Sequence, residues 1–352
     1  MKTNRSGESA CGQETRTDVV VPVDLGRRPL DLLFRVRALC EQTRMQPVSL
    51  VIGHNDRRSP YDRMLKALCR RYDVRLVSRF FYRDNVNNAR LRNEAMSAVT
   101  APLTLLLDAD LLLPGDTVAR VAASVATGDF PFRILPCLYL SRRGSKDLGR
   151  GDISPQGMLD AYFRFRRAPF LHLALPSSVA LFRTEDFDRC GGFDTAFEGH
   201  GYEDFDFLLR LAWLHGLVPR TRDLLIDRPT RAPLLSLGFR SHLARLTLPG
   251  MLRHEFAFHL WHPAAKDDYY MARGENAQRL TRKIEAELAM PCASGSAAEP
   301  AIDMPLLRFW LDLCEHHGAN PRDYLILFDN RPGHSDRFDT VGRRLRFLLG
   351  NH

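Results

Sequence analysis

The feature that most constrains this chain is the alternation, across its first third, of short aliphatic runs with segments of helical period. Val19-Val20-Val21-Pro22-Val23, Val48 to Ile52, Val74 to Val77 and Leu103 to Leu107 each read as a strand. Between them, residues 29–44 carry Leu32, Leu33, Val36, Leu39 and Cys40 at helical spacing, and Tyr61 to Arg71 and Asn88 to Val99 read as helices. A strand that is apolar throughout is buried on both faces, which requires a sheet, largely parallel, covered by helices. In such sheets ligands gather at the carboxyl ends of the strands. Those ends are polar here: Asp24, then Gly53-His54-Asn55-Asp56, then Asp108-Ala109-Asp110.

The second half is less regular. Residues 141–157 are rich in Gly, Ser, Asp and Arg and read as a mobile loop. Ser177 to Phe182 reads as a strand, Cys190 to Gly201 as a Gly- and aromatic-rich turn, and Glu203 to His215 as a helix. The organisation expected is a disordered tail over 1–18, one half-domain over 19–130, a second over 131–290 and a linker over 291–302. A small C-terminal α/β addition over 303–352 follows, with a helix from Leu306, a strand from Tyr324 and a basic amphipathic helix over Phe338 to Leu349.

Composition narrows the class. With 45% hydrophobic and 26% charged residues, the chain is globular rather than disordered or fibrous. All but five of its 50 basic residues are arginines, and the net charge of +8 suits a polyanionic partner: nucleotide phosphates, acidic sugars, nucleic acid or an anionic membrane surface. The seven cysteines are scattered without a CxxC pair, the pattern of reduced thiols in a cytoplasmic protein. The polar N-terminus shows no signal-peptide core, and no apolar run is long enough to span a bilayer.

Three constellations carry chemistry. Asp108-Ala109-Asp110 places two carboxylates on one side of an extended backbone, a pairing suited to Mn²⁺ or Mg²⁺. Cys190-Gly191-Gly192-Phe193-Asp194, followed by Phe197-Glu198-Gly199-His200-Gly201-Tyr202-Glu203-Asp204, gives a glycine loop that opens a helix with two acids. A helix N-terminus favours the ionised carboxylate that a general base requires, although acids are also common there for stability alone. Finally, His259 and His262 flank Trp261, two imidazoles for a metal and an indole for sugar stacking.

Taken with Ala89-Arg90-Leu91-Arg92-Asn93 ahead of the Asp108 strand, these motifs resemble a GT-A glycosyltransferase, a Rossmann-like mixed sheet flanked by helices. The Gly-rich Glu-Asp block is similar to the C-terminal signature of the β-1,4-galactosyltransferase and chondroitin-polymerase-like families. The resemblance covers about residues 18–280. It implies a UDP-sugar donor, with the nucleotide near Pro22, Val23, Asp24, Asp56, Arg92, Asn93, Asp108 and Trp261. It implies Mn²⁺ or Mg²⁺ on Asp110, with Asp108 beside it and His259 or His262 as a further ligand, and Asp204 as the inverting base with Glu203 next to it. The acceptor would be a glycan, or a lipid-linked glycan, in surface polysaccharide or capsule synthesis. His200 stands where related enzymes often carry Trp, and Glu94 follows Asn93 where small residues are usual. Arg142, Arg143 and Arg150 are expected to close over the diphosphate.

Two other classes compete. A sugar nucleotidylyltransferase would use a Gly-rich phosphate loop after the first strand, of which Gly26-Arg27-Arg28 is a thin version. A nucleic-acid-binding protein would account for the charge, but no recognition motif is present and no nucleic-acid partner is expected. The location expected is cytoplasmic, with the basic tail Val341 to Leu349 able to rest on the inner face of the membrane.

Overall fold

The computed structural model describes residues 16–230, 232–263, 268–290 and 306–329. Its strands are β1 (Thr17–Val23), β2 (Val48–Asn55), β3 (Arg75–Arg79), β4 (Leu103–Leu106), β5 (Leu111–Leu112), β6 (Phe132–Ile134), β7 (Cys137–Leu140), β8 (Phe170–Ala174), β9 (Ala180–Arg183), β10 (Asp227–Arg228), β11 (Leu237–Gly238) and β12 (Ala257–His259). The helices are α1 (Pro29–Thr43), α2 (Pro60–Tyr72), α3 (Asn88–Met96), α4 (Gly115–Ala126), α5 (Arg142–Gly149), α6 (Pro155–Phe163), α7 (Thr184–Arg189), α8 (Glu203–Leu214), α9 (Phe239–Leu252), α10 (Asp268–Met271), α11 (Arg273–Ala289) and α12 (Leu306–His316).

The main sheet runs β3-β2-β1-β4-β9-β6. Its first four strands are parallel; β9 runs antiparallel to them, and β6 pairs antiparallel with β9. The order reverses between β1 and β4, so the crevice at their carboxyl ends is a topological switch point. Asp24 leaves β1 and Asp108 follows β4 on either side of it. One face of the sheet packs on α1, α2 and α4 through Leu33, Val36, Leu65 and Val121; the other packs on α3 and α8 through Ala89, Ala95, Phe207 and Leu208. This is the mixed α/β, GT-A-like arrangement the sequence predicts.

A second sheet, β5-β12-β7-β8, branches from the end of β4. Its core also takes up Leu306, Trp310, Cys314, Tyr324 and Leu327. Residues 306–329 therefore pack into the second sheet's core. Residues 291–305 and 330–352, with the predicted linker and basic tail helix, lie outside the described residues.

Several local expectations need correction. β1 begins at Thr17, inside the segment read as a tail, because Asp18 is buried where Arg75 and the Thr100 and Ala101 amides pair with it. β2 continues through Gly53 to Asn55. Gly53 is what lets α3 cross so closely: a Cβ there would sit 1.9 Å from the Leu91 carbonyl oxygen. The predicted loop over 141–157 contains α5 and the start of α6. Each is capped by a serine, Ser141 accepting from the Gly144 amide and Ser154 from the Gly157 amide, and Leu148, Met158 and Leu159 are buried beneath them. β9 starts only at Ala180, since the Ser177 hydroxyl binds the Leu135 carbonyl and turns the chain first. The apolar run at 321–328 is 3₁₀-helical rather than a strand, started by Pro321 after an Asn320 cap.

Candidate functional site

The Asp108-Ala109-Asp110 backbone does not stay extended. The Leu111 amide donates to the Asp108 carbonyl at 3.0 Å, so the segment turns and its two carboxylates part. Asp110 goes to one cluster and Asp108 to another.

The Asp110 cluster is built by the second sheet. His259 pairs in register with Leu111 across β12 and β5, and the Leu260 amide donates to the Asp110 carbonyl at 2.8 Å. This sets His259 Nε2 3.6 Å from Asp110 Oδ1 and His262 Nε2 3.3 Å from Oδ2. Both histidines, between which the sequence left the choice open, thus face the same carboxylate. Tyr139 stacks on the His259 ring at 4.1 Å and on His172 at 4.2 Å, which fixes the imidazole plane. One ligand atom from each of Asp110, His259 and His262 lies within 4.8 Å of the others. Burial outweighs the pull of Asp110 and lowers both imidazole pKa values, so they are neutral at pH 7. Burial pushes the Asp110 carboxyl up, but His259, His262, Arg28 and Arg35 outweigh it and hold the group at about 2. Two neutral nitrogens and one carboxylate form a donor set that fits a divalent metal; imidazole favours Mn²⁺ over Mg²⁺, which prefers oxygen alone.

Arg28 also reaches this carboxylate, Nη2 lying 3.2 Å from Asp110 Oδ2. It sits in the left-handed region at the start of α1 (φ 46°), just ahead of Pro29. Arg27 beside it lies over the Tyr269 ring at 4.2 Å. The Gly26-Arg27-Arg28 segment is thus engaged with a carboxylate and a ring.

The second cluster joins three distant segments. Arg92 of α3 is buried and forks: Nη2 donates to Asp108 Oδ1 at 2.7 Å and Nη1 to Glu203 Oε1 at 3.0 Å. The Ser178 hydroxyl donates to Asp108 Oδ2 at 3.3 Å. Glu203 and Asp204 open α8 after Tyr202, which is left-handed at φ 78°. Glu203 is buried and its Oε2 has no hydrogen-bond partner, while Asp204 is half-exposed. Burial, and for Glu203 the neighbouring Asp204 charge, raises both carboxyl pKa values against the opposing pull of Arg92. Of the pair, Asp204 is the one an incoming hydroxyl can reach.

The glycine loop is held by close approach. Gly199 has φ +73°, and a Cβ on it would stand 2.7 Å from Ala272 Cβ and 2.9 Å from the Tyr269 carbonyl. His200 packs beside Tyr270 at 4.9 Å and Tyr269 at 5.3 Å, filling the place between the glycines with three rings. Asn93 clamps the loop, giving one bond to the Phe193 carbonyl and taking one from its amide, both at 2.8 Å. Its side-chain amide is therefore spent on backbone. Glu94 pairs with Arg90 at 3.8 Å.

A third cluster caps β1 and β2. Asp24 accepts from Arg57, from Asn55 at 3.2 Å and from the Gly26 amide at 2.7 Å. Tyr82 is packed nearby with its hydroxyl buried and no hydrogen-bond partner. Burial, then the Asp24 charge, raises that phenol's pKa. Asp56 turns away to Lys66 at 2.5 Å. Pro22 and Val23 line up with Gly53 and His54 in the buried sheet. Arg57 and Tyr82 were not singled out from sequence; Asn55 was read only as part of a polar strand end, and Arg28 only within the Gly26-Arg27-Arg28 loop of the competing nucleotidylyltransferase reading.

Trp261 faces a different side. Its carbonyl accepts from Arg35 at 2.8 Å, its amide donates to the Ser145 hydroxyl at 2.6 Å, and Arg142 lies 5.5 Å from its ring. Arg143 pairs with Asp147 at 3.6 Å, and Arg150 is exposed.

Comparison with known proteins adds the following. A family model described as glycosyltransferase like family 2 matches residues 30–284. No curated protein sequence matches. Among solved structures, TarS (residues 1–349) from S. aureus is 12% identical with a TM-score of 0.41, covering 88% of this chain and 74% of its own. The mannosyltransferase PcManGT from Pyrobaculum calidifontis, solved with GDP-Man and Mn²⁺, is 13% identical with a TM-score of 0.35, covering 89% and 85%. The glucosyl-3-phosphoglycerate synthase of Mycobacterium tuberculosis, solved with Mn²⁺, UDP and glucosyl-3-phosphoglycerate, is 12% identical with a TM-score of 0.35, covering 79% and 82%.

Proposed function

The chain belongs to the glycosyltransferase like family 2, and on that premise we propose that it moves a Gal-, GalNAc- or GlcNAc-type sugar from a UDP-sugar to a glycan hydroxyl with inversion. One observation carries the reading: a metal-ligand trio and a half-buried helix-N-terminal acid flank the same switch point, tied together through Asp108, Arg92 and Glu203.

Each cluster has a task in this reading. Asp24, Asn55, Arg57 and Tyr82 offer the polar edge for base and ribose. Asp110, His259 and His262 hold the divalent ion, whose chemistry is to neutralise the diphosphate leaving group. Asp204 takes the proton of the acceptor hydroxyl as its oxygen bonds the anomeric carbon and the sugar–phosphate bond breaks, the electron pair leaving with UDP. A base with a raised pKa is the better proton acceptor near neutral pH. Glu203, pinned by Arg92, orients sugar hydroxyls beside it. A β-1,4-galactosyltransferase-like or chondroitin-polymerase-like specificity, and work in capsule or surface polysaccharide synthesis at the inner membrane face, belong to the same proposal. No described helix is long and apolar enough to cross a membrane.

The test is a screen of UDP-sugars with the full chain and Mn²⁺, reading UDP release and thermal stabilisation. Release that requires Mn²⁺, and that vanishes in Asp204→Asn with UDP binding kept, is the expected result. Release unaffected by EDTA, or pyrophosphate formed from a nucleoside triphosphate and a sugar-1-phosphate, would overturn it.

A further inference from the structure

A cavity of about 400 Å³ opens between α1 and α5, beside the metal trio but lined by none of its ligands. It abuts the trio twice: Ala109 lies between Asp108 and Asp110, and Trp261 between the two histidines. Its size is that of a small-molecule site, and its chemistry is two-sided. Phe34, Ala38, Leu112 and Trp261 make an apolar wall, while Arg35, Arg142 and Lys146 supply positive charge.

The charge is available. Asp31 is the acid in the lining, and it is already held by Arg28 at 3.0 Å and Arg35 at 2.9 Å. Arg142 and Lys146 pair with no carboxylate among the described residues. Arg35 stands behind them, held by Asp31 and by the Trp261 carbonyl, and adds positive charge to the cavity wall. Beyond the cavity the apolar surface continues. Phe34 is 71% exposed and Leu30, one turn earlier on α1, is 52% exposed. A helix normally turns such a stripe inward.

We propose that this cavity binds an amphiphile made of an apolar chain joined to a phosphate. The chain lies against Phe34, Leu112 and Trp261, and the phosphate meets Arg142, Lys146 and Arg35. That the amphiphile is the lipid-phosphate end of the acceptor rests on the transferase reading above; the binding itself does not.

The test titrates the full chain with dodecyl phosphate below its micelle concentration, with dodecyltrimethylammonium and inorganic phosphate as comparison probes. Saturable one-site binding of dodecyl phosphate is expected, about tenfold or more tighter than either comparison. Ala38→Trp fills the cavity from an exposed helical position, and Lys146→Glu reverses its charge; each weakens dodecyl phosphate by about tenfold or more. Both variants retain UDP and Mn²⁺ binding, which shows them folded. Equal binding of the cationic amphiphile, or a full-strength Ala38→Trp complex, overturns the proposal. The two readings fail separately: loss of UDP-sugar turnover with dodecyl phosphate binding intact refutes the transferase, not the cavity.

Discussion

Arg92→Met is the most informative single change, because it separates what this residue does for the fold from what it does for the site. The guanidinium is buried and bonds two carboxylates from different segments. Methionine keeps most of the side-chain volume and leaves Glu203 buried beside Asp204 without a counter-charge. Removing one partner of a buried ion pair costs about 3–5 kcal/mol. At about 2–4 °C per kcal/mol, the melting temperature should fall by roughly 6–20 °C. The loss should be smaller in acid. Burial already raises the Glu203 pKa above its unfolded value, and removing Arg92 raises it further. A raised carboxyl contributes stability that is present below the unfolded pKa and is lost as pH climbs through the folded one, so Arg92→Met should recover stability between pH 8 and pH 5. Adding Glu203→Gln removes the stranded charge and should restore about 2 kcal/mol, a coupling well outside the additivity of independent sites. Urea and thermal unfolding of wild type, both singles and the double, at pH 5 and pH 8, measure all of this. A single-variant loss under about 1 kcal/mol, or an additive double mutant, would refute the argument that Arg92 is the shared counter-ion.

Other consequences are simpler to check. Asp204→Asn should lower turnover by about 10²–10⁴-fold with donor affinity unchanged, the range of a lost general base; isothermal titration with UDP beside initial rates decides it. Because the Asp204 pKa is raised, kcat/KM for wild type should rise with pH through a limb above the ordinary carboxylate range, and a plateau reached by about pH 4 would remove Asp204 from that role. His259→Ala and His262→Ala should each weaken Mn²⁺ by about tenfold or more, read by titration without donor; an unchanged affinity in either takes that histidine out of the set. Mg²⁺ should support activity less well than Mn²⁺, given two imidazole ligands.

The parallel half of the fold was legible because its strands are apolar on both faces and its helices keep a clear period. The second sheet was not. β5 and β12 are two and three residues long and pair with each other across about 145 residues of sequence, so no local pattern marks them. Residues 141–157 misled for a related reason: the serine caps and glycines that start α5 and α6 have a loop's composition. For the site, Asp110, His259 and His262 were found as separate motifs, and their convergence is a product of β5–β12 pairing. The divergence of Asp108 from Asp110 follows from a turn hydrogen bond that residue spacing does not reveal. Tyr82 stood in a segment whose local sequence is unremarkable, and Arg28 in a loop whose glycine and arginines suggested a phosphate rather than a carboxylate partner.

The metal trio also has a consequence for the chain as a polymer. Its ligands come from residue 110 and from residues 259 and 262. An ion bridging them closes a loop of about 150 residues, the kind of long clip that restricts the unfolded chain most. It staples the last strand of the parallel half to the final strand of the second sheet. Ion occupancy and folding are then linked by mass action, so the melting temperature should climb with the logarithm of free Mn²⁺ even with no nucleotide present.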